Sequence, residues 1–180
     1  MIRKLTEDLH NFVKERNWLQ FHTPRNMAMT LIVESFELLE HFLPGVEKNK
    51  QELKSEIGDV MSCILLTREC LGLNKIDELS EIKNIENPIS EFSKKLQKFS
   101  EHFLWLKENQ SFHGQLIELD QQLSDLLKLH HAICVNEGID PIEATYEKLE
   151  KNKKRYPSEL MKNSLESYFI RKNELKKSSI

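Results

Sequence analysis

The sequence predicts an all-α protein, an antiparallel helical bundle, and three observations carry that expectation. Only 5 Gly and 5 Pro interrupt 180 residues. Long stretches of Leu, Glu, Lys and Ile repeat their apolar side chains at three- and four-residue intervals, with few alternating β-branched runs. The punctuation falls where helices should break. A chain of this length buries roughly 70% of its unfolded surface, which supports a core without disulfides or metal.

The first helix is expected over about 6 to 17, with Thr6 as N-cap, Glu7 and Asp8 in the first turn, and Leu9, Phe12 and Val13 on one side. A connector containing His22, Pro24 and Asn26 leads to a second, about 26 to 43, where Ile32, Phe36, Leu39 and Leu43 form a helical stripe. Pro44 and Gly45 stop it. The third, about 51 to 71, turns Leu53, Ile57, Val60 and Ile64 inward and ends at Gly72. Asn87 and Pro88 pair a cap with an N1 proline and open a fourth, reaching about Leu106. A fifth runs from about 115 to 136 and closes at Gly138. Asp140, Pro141 and Glu143 open the sixth, to about Arg155, in capping-box form. Residues 158–180 read as a polar, Lys-rich tail.

The chain also repeats itself. Glu40-His41-Phe42-Leu43 recurs as Glu101-His102-Phe103-Leu104, and Asp59 and Gly72 find counterparts in Asp125 and Gly138. Residues 1–157 are therefore expected to form one unit of two repeats, about 26–86 and 87–157.

Composition narrows the function. Lys and Arg number 26 against 29 Asp and Glu, a formal charge of -3, which gives no general push toward nucleic acid. No apolar run reaches the roughly 18 residues a membrane span needs, and the N-terminus has no signal-like apolar segment, so a soluble cytoplasmic protein is expected. Cys63, Cys70 and Cys134 lie in apolar helical patterns without a CxxC pair and are expected to be reduced core residues.

Four acids stand out. Glu34 and Glu37 lie three apart on one predicted helix, Glu56 and Asp59 three apart on the next, so each pair shares a face. Acids so spaced are by default a solvated surface. Here they are embedded among Met27 to Val33, Phe36 to Leu39, and Val60 to Leu66, which are hard to keep in water. Packed antiparallel, the two helices would gather four carboxylates whose repulsion a hard divalent cation relieves, Mg2+ or Mn2+.

Glu34-x-x-Glu37, 18 intervening residues and Glu56-x-x-Asp59 resemble the signature of the MazG-like all-α nucleoside triphosphate pyrophosphohydrolases, most closely the dCTP pyrophosphatase branch. Arg16-Asn17-Trp18, the segment Phe21 to Asn26, and Lys148, Asn152, Arg155, Tyr156 and Pro157 extend the likeness. The resemblance implies Mg2+-dependent cleavage of a (deoxy)nucleoside triphosphate, canonical or modified, to monophosphate and pyrophosphate. It implies Glu34, Glu37, Glu56 and Asp59 as metal ligands, with Glu37 the candidate base, and Trp18, His22, Lys148, Asn152, Arg155 and Tyr156 as substrate-binding residues. Pro44 and Cys63 depart from the family's aromatic positions, and Trp105 in the second half is a substitute candidate.

Aligning the repeats puts Lys95 and Lys98 opposite Glu34 and Glu37, and Gln122 opposite Glu56, whereas Ile82 and Glu86 stand opposite Lys148 and Asn152. Each half has lost what the other keeps. One composite site in a fused pseudo-dimer is therefore expected, and whether two chains pair as a homodimer of pseudo-dimers is left open. The alternative is a non-catalytic nucleotide-binding or regulatory protein on a decayed scaffold. A ferritin-like di-iron site needs Glu-x-x-His on two helices, and that reading fails because His41, His102, His113, His130 and His131 have no Glu three residues before them.

Overall fold

The computed structural model describes residues 1–73, 76, 78, 79, 85–104, 112, 114–161, 170 and 174. Ile82, Trp105 and Leu106 lie outside them; the fourth helix, expected to reach about Leu106, ends at Glu101, and residues 102–104 form a turn. The elements are α1 (Ile2–Glu15), a 3-10 turn (Trp18–Phe21), α2 (Pro24–Glu40), α3 (Lys50–Cys70), α4 (Pro88–Glu101), α5 (Leu116–Glu137), α6 (Pro141–Arg155) and α7 (Ser158–Met161). Among the described residues there is no strand, as the 3.6-residue patterning requires. No described helix is long and apolar enough to cross a membrane.

The cap chemistry accounts for most boundaries. Thr23 Oγ1 accepts the Asn26 N–H at 3.2 Å, Asn49 Oδ1 accepts from Gln51 and Glu52, and Asn87 Oδ1 accepts from Ser90. Asp140 Oδ1 accepts from Ile142 and Glu143 at 2.8 and 3.2 Å, while the Glu143 carboxylate pairs with Lys54 instead of completing a capping box. Three expectations need correction. Thr6 does not cap α1; it is buried one turn inside, its hydroxyl donating to the Ile2 carbonyl, because the apolar stripe starts at Ile2 and Leu5. On α2 the buried face is Met27, Ala28, Leu31, Ser35 and Leu38. Phe36 and Leu43 are 59% and 55% exposed, because α3 packs against the neighbouring stripe. Finally, the expected polar tail begins with α7, whose Met161 is buried.

α3 is the central wall, apolar on both sides. With α2, α4 and α5 it encloses one core through Ile57, Val60 and Ile64; with α1 and α6 it encloses a second through Met61, Leu65 and Leu66. Helices α2 and α3 form one hairpin and α4 and α5 another. Polar ties hold the layers in register. The fully buried His130 on α5 donates from Nε2 to the Ile57 carbonyl at 3.0 Å, and Arg68 on α3 pairs with Asp120 and Ser124 of α5. Cys63 and Cys134 are buried and Cys70 half-buried, all three reduced, as expected.

At Gly58, α6 crosses α3 so closely that a Cβ there would lie 2.7 Å from the Ala144 carbonyl oxygen and 3.0 Å from Lys148 Cβ. A helix-interior glycine costs propensity, and here the missing side chain is what admits a second backbone. That crossing sets the root of Lys148 directly above the α3 acids.

Candidate functional site

The site is a cleft between α1, α2, α3 and α6. On α2, Glu34 and Glu37 follow one another along the face toward α3; Glu34 is half-buried and Glu37 exposed. On α3, Glu56 and Asp59 flank the Gly58 crossing and are half-buried. One carboxylate oxygen each from Glu34, Glu56 and Asp59 lie within 4.8 Å of one another. Glu37 stands outside that triplet but lines the same cavity. Of the four acids expected as ligands, three converge and the fourth borders them.

Burial dominates the electrostatics. Glu34 is pushed up to about 7, first by loss of water and then by the charges of Asp59, Glu37 and Glu56. Glu56 and Asp59 are raised for the same leading reason, against the opposing pull of Lys148. That cation reaches across from α6: Lys148 Nζ pairs with Asp59 Oδ2 and donates to Ser55 Oγ at 2.7 Å. Even this ion pair does not offset the cost of burying Asp59. Among the described residues, Glu56 Oε2 is buried with no hydrogen-bond partner. Three carboxylates, one carrying a buried oxygen without a partner and all raised by burial, could hold a metal ion.

Glu34, Glu37 and Asp59 line a cavity of about 580 Å³, within the usual size of a small-molecule site, and Glu56 is not among its lining residues. Nine of the expected site residues line it: Trp18, His22, Glu34, Glu37, Asp59, Lys148, Asn152, Arg155 and Tyr156. Lys148, Asn152 and Arg155 lie on one stripe of α6 and line the cavity together, Lys148 through its contact with Asp59. The far wall is aromatic. Trp18 packs edge-on against Phe12 and Tyr156, with centroids 5.7 and 5.5 Å apart. Buried Arg16 fixes this wall by donating from Nε to the Tyr156 carbonyl at 2.6 Å and from a terminal nitrogen to the Phe12 carbonyl at 2.9 Å. Burial, and then His10, lower the His22 imidazole from its ordinary value and so favour the neutral ring.

The positions aligned in the second half are built differently. Lys95, opposite Glu34, pairs with Asp125, opposite Asp59, at 2.6 Å, and Gln122, opposite Glu56, contacts His102 at 2.9 Å. A lysine there meets the one carboxylate that persists.

Two contributors escaped the motif reading. Ser55 had no signal beyond its place one turn before Asp59. Gly58, a glycine between two acids in mid-helix, carried one: such a residue marks a close backbone approach. No protein-family model, no curated protein and no solved structure matches this chain.

Proposed function

We propose that the chain is a Mg2+-dependent nucleoside triphosphate pyrophosphohydrolase of MazG-like type, and that its two hairpins are degenerate repeats sharing one composite site. The observation that carries this reading is the convergence of the α2 and α3 carboxylates and the α6 stripe Lys148, Asn152 and Arg155 on one cavity. Carboxylates on one wall and a cation with an amide on the other suit a polyphosphate that arrives as a metal complex.

Glu34, Glu56 and Asp59 would hold the ion, which when bound supplies Lewis-acid polarisation of a phosphoryl oxygen and an acidified water. Glu37, beside the triplet and exposed, is the candidate to accept the proton of the attacking water. Lys148, Asn152 and Arg155 would bind and orient the phosphates and stabilise charge as it develops. The Trp18 and Tyr156 edges, with apolar Leu9, Val13 and Leu66 behind, would pack against the base and exclude water from that end.

The test is a screen of canonical and modified triphosphates with Mg2+, reading monophosphate and pyrophosphate. At least one should be cleaved, and Glu56→Gln and Asp59→Asn, which keep size but remove ligand charge, should each lower turnover by about 100-fold or more. No cleavage in the whole screen, or unchanged turnover in both amides, refutes the reading. The Lys148–Asp59 pair, which gives the acids an internal partner, favours one rival: a nucleotide-binding protein without catalysis. Saturable nucleotide binding with no pyrophosphate release would identify it.

A further inference from the structure

Resting on the metal-site reading above, we propose that Lys148 is a displaceable resident cation: its ammonium and a divalent ion compete for Asp59, and the ion's arrival releases the lysine to the polyphosphate.

Three observations support this. The ammonium acts on all three acids of the triplet. It pairs with Asp59, with the two side chains 12% and 16% exposed, and its charge acts on Glu34 and Glu56 as well. A divalent ion drawing an oxygen from each of the three acids would stand within a few ångströms of that ammonium, where like charges in a half-buried site repel strongly.

Second, only the tip of Lys148 has to move. Its root is pinned at the α3–α6 crossing, with Cβ against Gly58, while among the described residues the side-chain partners of Nζ are Asp59 and Ser55, the second uncharged. The tip also has somewhere to go, because Lys148 lines the cavity on the same stripe as Asn152 and Arg155.

Third, the second hairpin shows a lysine in the corresponding electrostatic role. Lys95 neutralises Asp125 from the position aligned with Glu34, so an ammonium takes the place of a ligand, and among the described residues no acidic triplet forms there. The first hairpin keeps its acids and receives its lysine from outside, on a stem that can withdraw.

Metal and polyphosphate are then linked. Each weakens the Lys148–Asp59 pair, so each tightens the other by the same factor.

The experiment measures Mn2+ binding to the full chain without nucleotide, by electron paramagnetic resonance of the free ion. Lys148→Met removes the ammonium and keeps the stem, and it should bind Mn2+ about tenfold more tightly than the wild type or better. Lys148→Arg, which keeps the charge, should stay within about threefold of wild type. A second measurement needs no variant. In the wild type, the hydrogen-bonded Lys148 ammonium should give a protected 15N signal that disappears as Mg2+ saturates the site, a change that a merely nearby positive charge would not produce. Equal or weaker Mn2+ binding by Lys148→Met, or an ammonium signal that persists in the Mg2+-saturated protein, overturns the displacement and leaves the metal site standing. If neither protein binds Mn2+ at millimolar concentration, the metal site itself fails and the displacement with it.

Discussion

Replacing Gly58 by alanine sets helix propensity against packing, and the structure decides which wins. In an exposed helix interior the change should stabilise by about 1 kcal/mol, since glycine loses more backbone entropy on folding. At this crossing the new methyl would meet the Ala144 carbonyl oxygen at 2.7 Å, the Ala144 carbonyl carbon at 3.1 Å and Lys148 Cβ at 3.0 Å. Two of the three are backbone atoms that cannot rotate away, so α6 itself must lift. Overpacking of a tight site costs about 1–3 kcal/mol, and a backbone clash belongs at or above the upper end. The net expectation is destabilisation of about 2 kcal/mol, or a fall in Tm of about 4–8 °C for a chain this size. The shift also carries the root of Lys148 away from Asp59, so turnover should drop by more than the folded fraction does. Thermal denaturation followed by circular dichroism, with turnover measured well below the transition, reads both effects. A Gly58→Ala protein as stable as the wild type or more so would show that α6 does not press on α3 at this point, and the account of how Lys148 reaches the acids would fall.

His130, fully buried and depressed to about 4 by loss of water, is neutral in the fold and protonates first in the unfolded chain, so stability should decline as pH falls below about 6.5. Between pH 7 and pH 5 this amounts to about 2 kcal/mol, and urea denaturation of His130→Gln at both pH values should show that loss reduced. Arg16→Ala removes the bonds to the Tyr156 and Phe12 carbonyls and should cost about 2 kcal/mol, with KM rising more than kcat falls because the aromatic wall loosens; unchanged KM would detach that wall from substrate. Lys95→Ala in the second hairpin should leave turnover within about twofold of wild type, since its partner Asp125 lies outside the cavity; a large loss would place function there.

The helices and the identity of the acids were legible in the linear chain because the forces that define them act within one or two turns. Asn87 before Pro88 and Asp140 before Pro141 cap α4 and α6 by side-chain bonds to amides two or three residues on, and the i, i+3 spacing of Glu34 with Glu37 and Glu56 with Asp59 sets a shared face whatever surrounds it. Which face is buried depends on which neighbour arrives. Phe36 and Leu43 fit a helical stripe as well as Leu31 and Leu38 do, and only the packing of α3 chose the latter pair. Thr6 has a good cap residue's chemistry, but Ile2 and Leu5 found a core, and burying their apolar surface outweighed the cap. At the site, three of the acids named in advance, Glu34, Glu37 and Asp59, line the cleft, yet the triplet of Glu34, Glu56 and Asp59 with Glu37 outside it follows from how α2 packs on α3. The Lys148 contact spans α3 to α6 through a glycine with no Cβ. Local rules specify residues on faces; the distances between faces are set by close-packed contacts among side chains far apart in the chain, and those exist only once the bundle has closed.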